Sequence, residues 1–161
     1  KKQKDHKTLI KAFSLLPKEL NAKLVIIGEG DLRNSLIKLI DELDLNSRVD
    51  LPGFVLDTAS WYCSADLFVL SSLWEGFGNV LVESLETGLP VISTDCPSGP
   101  SEILKNGHYG TLVKPNNPKD LSDAIKNNLL IKHDKNKLII RSKDFTIAKI
   151  SKEYLDYMKL L

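Results

Sequence analysis

Two glutamates, Glu75 and Glu83, enclose a glycine-bearing segment whose residue types favour the binding of a phosphorylated ligand. The segment follows an apolar, strand-like run at residues 65–70 and leads into a helix-like run at residues 80–87. A turn from a strand into a helix leaves the first amides of the helix without partners, and the helix dipole adds partial positive charge there. The arrangement therefore predicts a binding site for an anion such as a phosphate.

The two carboxylates would repel such an anion, so they are suited to neutral hydroxyl groups on either side of it. A ligand that carries hydroxyls around a diphosphate is a sugar nucleotide. Gly78 would let the backbone approach the diphosphate closely. The main chain would also contribute at the neighbouring positions Phe77, Asn79, Val80 and Leu81, with free amides expected at Val80 and Leu81. An ordinary turn capped by Asn79 explains the same residues, and the two interpretations are compatible.

Short apolar runs alternate with segments of helical periodicity along the chain. The apolar runs predict strands at residues 24–27, 48–51, 67–71, 91–94 and 110–113. The periodic segments predict helices at residues 7–16, 32–43, 58–63, 79–87, 118–129 and 146–161, with Asp31 as the cap of the second. This alternation predicts one α/β domain over residues 1–161, with a doubly wound, Rossmann-like parallel sheet.

The candidate ligand loops all follow predicted strands. They lie at residues 28–30, 53–54, 72–78 and 95–100. Because ligands of doubly wound sheets bind outside the carboxyl ends of the strands, we expect these loops and the two glutamates to gather at one edge.

The bulk properties of the 161 residues exclude several other functions. A formal net charge of +1 argues against nucleic acid as a partner. No apolar run approaches the roughly 20 residues that span a bilayer, and no signal peptide is visible. The sequence has no Asp-x-Asp motif and no cluster of His and Cys, so we expect no metal and no other cofactor.

The segment from Glu75 to Glu83, followed by Gly-Leu-Pro-Val-Ile at residues 88–92, resembles the glutamate–seven–glutamate signature of retaining glycosyltransferases of family 4. Four further pieces, at residues 3–13, 24–30, 49–54 and 96–103, are similar to segments of that family and occur in the family's order. The resemblance covers nearly the whole chain. It implies the GT-B fold, of which this chain would be the C-terminal, donor-binding half.

The resemblance also implies a role for each candidate residue. Glu83 would hold the ribose hydroxyls, while Glu75 would contact the donor sugar and stabilise charge at its anomeric carbon. Lys4 would stabilise the departing diphosphate, which makes it catalytic together with Glu75. The loop that contains Gly28 and Gly30 would line the donor site. The backbone at Phe54 and Val55 would recognise the base.

Each of these residues also has a plainer interpretation. Glu83 is compatible with an acid favoured by the helix dipole, and Glu75 with a solvated loop acid. Lys4 lies in a basic run and could be one more solvated lysine. Phe54 could be a core residue at a turn. The Gly28 loop lacks the third glycine of a dinucleotide fingerprint, because position 33 is Arg33.

The resemblance implies a retaining, metal-independent transferase. The enzyme would move a hexose or an N-acetylhexosamine from a nucleotide sugar, which we expect to be a UDP-sugar. The acceptor would be a growing polysaccharide (including capsule), a lipopolysaccharide or a lipid-linked glycan, bound by an N-terminal domain that is absent from this chain. No strand precedes the first predicted helix, so we expect a fragment that binds the donor without turnover.

Two other classes of function remain open. One is another GT-B enzyme, a sugar-nucleotide epimerase or a phosphorylase. The other is a non-catalytic doubly wound module such as a receiver domain, although receivers carry clustered acids where this chain has glycines and serines after its strands. For the transferase we expect a cytoplasmic location, which includes the inner face of the cytoplasmic membrane if the full-length enzyme attaches peripherally.

Overall fold

The computed structural model describes residues 1–159. Helices and strands alternate in it from residue 6 to residue 130, and two further helices follow. The strands are β1 (Leu24–Ile27), β2 (Val49–Gly53), β3 (Phe68–Leu70), β4 (Val91–Thr94) and β5 (Thr111–Val113). The helices are α1 (His6–Ser14), α2 (Arg33–Glu42), α3 (Thr58–Ser64), α4 (Asn79–Glu86), α5 (Pro100–Ile103), α6 (Pro118–Leu130), α7 (Lys135–Ser142) and α8 (Ile147–Met158). Short 3₁₀ turns lie at Lys2–Lys4, Lys18–Leu20 and Lys143–Phe145.

All the strand pairs of the described chain are parallel, and they form two groups. β1 pairs with β2, while β4 lies between β3 and β5. The expected α/β fold with parallel strands is confirmed, but the expected single sheet is divided. A cavity of about 2000 Å³ lies between β1 and β3, whose residues line it.

The side chains of β4 show why helices cover both faces of the strands. Ile92 is fully buried in a core with residues of α1, α2 and α6, including Phe13 and Ile125. Its neighbour Val91 is buried on the opposite face, among residues of α4, α5 and α7. Successive side chains of a strand point to opposite faces, so a continuous apolar run such as Val91-Ile92 requires a cover on each side. The doubly wound arrangement follows from this.

Most of the helices begin directly after a residue whose side chain caps them. The carboxylate of Asp57 accepts a hydrogen bond from the Ser60 amide at 3.1 Å, and Asn117 caps α6 in the same way. Asp31, however, is not a cap: Leu32 occupies that position and makes no side-chain bond, so the predicted cap of α2 is wrong. Helix α7 was not predicted at all. The last residues of the predicted tail helix, Leu160 and Leu161, lie outside the described residues.

None of the helices in residues 1–159 combines the length and the apolar character that a bilayer span requires.

Candidate functional site

The loops that follow the strands lie on the carboxyl side of each strand and contact one another in two groups. Gly28 donates its amide to the Gly53 carbonyl at 2.7 Å, which joins the loops after β1 and β2. Gly99 lies directly against the backbone of Phe77, since a Cβ atom at Gly99 would be 1.7 Å from the Phe77 carbonyl oxygen. This contact joins the loops after β3 and β4. The predicted gathering of the loops is therefore observed within each pair.

The N-terminal turn is fixed to the loop after β3 by three hydrogen bonds. The Leu73 amide donates to the Gln3 carbonyl at 2.8 Å, and the Gln3 side-chain amide donates to the Trp74 carbonyl at 2.8 Å. The Ser71 hydroxyl donates to the Lys4 carbonyl at 2.7 Å. These bonds hold Lys4 beside the glycine-rich loop, although the two segments are far apart in sequence.

The Lys4 ammonium lies 2.8 Å from Oε1 of Glu75. The side chain of Glu75 is only 8% exposed and that of Lys4 is 33% exposed, so neither residue is the solvated side chain of the plainer interpretation. The Ser72 hydroxyl donates to the same Oε1 at 2.5 Å. The other oxygen, Oε2, accepts no hydrogen bond from the described part of the chain. Hydrogen bonds from residues 1–159 thus fix only Oε1 of Glu75.

Strand β4 holds Ser72 in place. This serine is fully buried, and its carbonyl accepts a hydrogen bond from the Thr94 hydroxyl of β4 at 2.5 Å. Ser72 was not among the predicted site residues. The available signal was a pair of serines directly after an apolar strand and three residues before a candidate glutamate.

Helix α4 begins at Asn79, the first residue predicted for it. Gly78, with φ 97°, occupies the capping position, so Asn79 is the first helical residue and not the cap. The Leu81 amide donates to the Gly78 carbonyl at 2.9 Å, and its side chain is fully buried. The prediction of a free Leu81 amide is therefore wrong. The amides of residues 77–80 donate to no acceptor in residues 1–159, so the free amides of this turn are those of Phe77, Gly78, Asn79 and Val80.

Glu83 lies on α4 with an exposed side chain. Its Oε2 accepts a hydrogen bond from the Tyr62 hydroxyl of α3 at 3.1 Å. The Tyr62 ring packs edge-on against Phe68, with 5.7 Å between the ring centroids. Burial, followed by the charge of Glu83, raises the pKa of the Tyr62 phenol, which therefore stays protonated at neutral pH. Sequence reasoning missed Tyr62, because a single tyrosine in a short helix carries no motif.

The loops after β1 and β2 each turn at a glycine with positive φ. Gly28 has φ 114° and Gly53 has φ 85°, both in a region that side chains rarely adopt. Phe54 is 72% exposed, so its alternative interpretation as a core residue is wrong. Arg33, at the position of the missing third glycine, donates to the Leu51 carbonyl at 2.7 Å and so links α2 to β2. The neighbouring Val55 is half-buried.

The cavity between β1 and β3 is lined by some of the site residues but not by Glu75, Glu83, Gly78 or Phe54. Lys4, Gly28, Gly30 and Tyr62 all line it. A Cβ atom at Gly30 would lie 3.6 Å from the backbone nitrogen of Lys1, so the N-terminal turn also reaches the base-side loop. Three predicted site residues and the newly found Tyr62 therefore line the same cavity. Within residues 1–159 no group of three or more His, Cys, Asp or Glu could hold a metal ion.

Comparison with protein families gives a match to the model described as "Glycosyl transferases group 1", over residues 1–145. The match includes the glutamate segment, the N-terminal turn and the strand loops.

Two curated relatives resemble the chain over nearly its whole length. An N-acetylgalactosamine-N,N'-diacetylbacillosaminyl-diphospho-undecaprenol 4-alpha-N-acetylgalactosaminyltransferase of Campylobacter jejuni is 38% identical, over 98% of this chain and 44% of the relative. The lipopolysaccharide core biosynthesis glycosyltransferase LpsE of Rhizobium meliloti is 31% identical, over 99% of this chain and 46% of the relative. The chain therefore spans about half the length of these relatives.

Solved structures show the same architecture. A mutant of S. aureus TarM, in complex with fondaparinux, alpha-GlcNAc-glycerol and UDP, superimposes with a TM-score of 0.87 and 25% identity, over 96% of this chain and 32% of that one. Anabaena HepE in complex with UDP superimposes with a TM-score of 0.84 over 100% of this chain and 46% of that one. Its identity of 23% supports the fold alone.

Proposed function

Because this chain belongs to the group 1 glycosyl transferases and has the fold of the C-terminal domain of a GT-B enzyme, we propose that it binds the nucleotide-sugar donor, a UDP-sugar. The observation that carries the proposal is the Lys4–Glu75 pair beside the unpartnered amides of residues 77–80. A cation and free amides suit a diphosphate, and a carboxylate with one free oxygen suits a sugar hydroxyl.

The donor would cross the site from the base-side loops to Glu75. The base would lie at the exposed ring of Phe54 and the backbone of Val55, near the turns at Gly28 and Gly30. The diphosphate would then reach the start of α4, where the helix dipole and the amides favour negative charge. Glu83 would accept hydrogen bonds from the ribose.

The transferred sugar would be an N-acetylhexosamine or another hexose. The Campylobacter relative is named as an N-acetylgalactosaminyltransferase that acts on a diphospho-undecaprenol glycan. TarM was crystallised with UDP and alpha-GlcNAc-glycerol. These names support a UDP-sugar as the donor and a lipid-linked glycan, a lipopolysaccharide or another polysaccharide as the acceptor. Because the relatives are about twice as long, we assign acceptor binding to the rest of the enzyme.

Transfer would proceed with retention and without a metal. As the bond between the sugar and the diphosphate breaks, negative charge grows on the outer phosphate, and Lys4 with the amides of α4 would stabilise it. The acceptor hydroxyl would attack from the face that the diphosphate leaves. Oε1 of Glu75 is already bonded to Lys4 and Ser72, which favours a role in orienting the sugar over a role as a covalent nucleophile.

Calorimetric titration with UDP, GDP and ADP tests the proposal directly. We expect UDP to bind more tightly than the other two, and UDP-N-acetylglucosamine or UDP-glucose to bind with an added contribution from Glu75. Circular dichroism before each titration establishes that the domain is folded. If a folded domain gives no heat with any of the three nucleotides, the donor-site proposal fails. Preference for GDP or ADP would overturn the choice of UDP and leave the site itself in place.

A further inference from the structure

We propose that Tyr62 is a positioning residue for Glu83: its hydroxyl fixes Oε2 of the carboxylate so that Oε1 faces the nucleotide ribose. This inference rests on the proposed function, because it assigns a task to Glu83 within the donor site. The bond that carries it joins α3 to α4 at 3.1 Å.

Glu83 needs such a partner because its side chain is otherwise free. It is exposed on α4, and it accepts no other hydrogen bond from residues 1–159. An exposed glutamate has several rotamers and loses entropy when a ligand fixes one of them. A hydroxyl that holds the carboxylate before the ligand arrives reduces that loss.

Tyr62 is well placed to supply a fixed hydroxyl. Its ring packs edge-on against Phe68 of β3, with 80° between the ring planes. A tyrosine has only two side-chain torsions, so packing of the ring also fixes the position of its oxygen. Glu83 is thereby positioned relative to a strand of the sheet and not only relative to its own helix.

The protonation of the phenol determines the direction of the hydrogen bond. Tyr62 stays protonated at neutral pH, so its single O–H donates and Glu83 accepts. An ionised carboxylate has two oxygens and can accept on both. The bond to Oε2 therefore leaves Oε1, and the negative charge, available to the ribose hydroxyls.

A simple surface contact between α3 and α4 is the competing explanation, and it predicts a different result. A contact of that kind would affect stability but would not distinguish ligands by their ribose. A positioning role acts only through the hydroxyls at the 2′ and 3′ carbons. UDP and 2′,3′-dideoxy-UDP differ in those two groups alone, so they separate the two explanations.

The experiment is calorimetric titration of wild type and Tyr62→Phe with both nucleotides. The variant keeps the ring and its contact with Phe68. We expect UDP affinity to fall by about twofold to tenfold, the cost of immobilising one further side chain on binding, while the affinity for dideoxy-UDP stays unchanged. Tyr154→Phe is the matched control, because it removes an exposed hydroxyl in α8 and should alter neither affinity.

A double variant gives a second, independent reading. Tyr62→Phe should have no further effect on UDP affinity in a Glu83→Ala background, because the carboxylate that Tyr62 positions is gone. Equal weakening of UDP and dideoxy-UDP by Tyr62→Phe, or no weakening of UDP, would overturn the positioning role. If folded wild-type protein bound none of UDP, GDP and ADP, the proposed function would fail and this inference with it.

Discussion

Lys4 and Glu75 form an ion pair of 2.8 Å that joins the N-terminal turn to the loop after β3. The carboxylate is almost completely shielded from water, and its bonded oxygen also accepts from the buried Ser72 hydroxyl. Shielding a carboxylate from water is costly unless a positive charge lies beside it and the oxygen that is removed from water is hydrogen-bonded. The pair therefore serves the fold and the proposed donor site together.

Replacing Lys4 by Met should reduce the free energy of unfolding. After the change, the Ser72 hydroxyl is the remaining hydrogen-bond donor to Glu75. Because Lys4 is partly exposed, we expect the free energy of unfolding to fall by only about 1–2 kcal/mol. Urea unfolding measures it. Lys2→Met is the matched control, because Lys2 is exposed and makes no ion pair in residues 1–159. Adding Glu75→Gln to Lys4→Met should restore part of the stability; a further loss would contradict the pairing.

Gly99→Ala should damage the site, because the added Cβ would lie 1.7 Å from the Phe77 carbonyl oxygen. Gly99 also has φ 86°, which alanine rarely adopts. We expect a loss of roughly 2 kcal/mol or more in the free energy of unfolding and a parallel loss of UDP affinity. Urea unfolding and calorimetry measure the two effects.

The matched control for that change is Gly76→Ala, in the same loop system. A Cβ at Gly76 would have nothing within 4 Å, and its φ is not positive. This variant should unfold like wild type. Equal destabilisation by both substitutions would show that the close approach of Gly99 to Phe77 is not the cause.

The sequence predicts some elements better than others for physical reasons. The bounds of β1 and β4 were predicted correctly. β1 is a run of apolar residues that ends at Gly28, and β4 is rich in β-branched residues and lies between Pro90 and Asp95. Helix α7 was missed because Leu138-Ile139-Ile140 has the appearance of a short strand. The helix depends on the Asp134 carboxylate, which accepts from the Lys137 amide at 3.1 Å, and on the burial of Leu138.

The sequence predicted several of the site residues but not the hydrogen bonds between them. The motif identified Glu75 and Glu83, and the family order identified Lys4. The bond between Lys4 and Glu75 joins residues 71 positions apart, so it depends on how the loops pack and not on any local pattern. The same is true of Tyr62 and Glu83. Whether an amide at the start of a helix is free depends on the geometry of the preceding turn. The motif does not specify that geometry, so the Leu81 amide was wrongly predicted to be free.

Lowering the pH should destabilise the domain through His6. Burial first, and then nearby positive charge including Lys4, lower the pKa of the His6 imidazole below its ordinary value of 6.5. Below about pH 6.5 the His6 imidazole binds a proton more readily in the unfolded chain than in the folded chain. The free energy of unfolding therefore falls as the pH drops below about 6.5. For one proton the slope cannot exceed about 1.4 kcal/mol per pH unit.

Thermal unfolding between pH 5 and pH 7.5 measures this effect. His6→Gln should flatten the dependence, while His108→Gln, at an exposed histidine, should leave it unchanged. An undiminished slope in His6→Gln would assign the pH dependence to other groups.

Alanine at Glu83 should weaken UDP binding more than alanine at Glu75, because UDP contains the ribose but lacks the transferred sugar. We expect a loss of about tenfold at Glu83, the cost of a hydrogen bond to a charged group. Glu75→Ala should instead reduce the preference for UDP-N-acetylglucosamine or UDP-glucose over UDP. Calorimetry with each ligand measures both effects, and Glu86→Ala, at an exposed acid of the same helix, is the control. If Glu75→Ala weakens UDP more than Glu83→Ala does, the two roles are reversed.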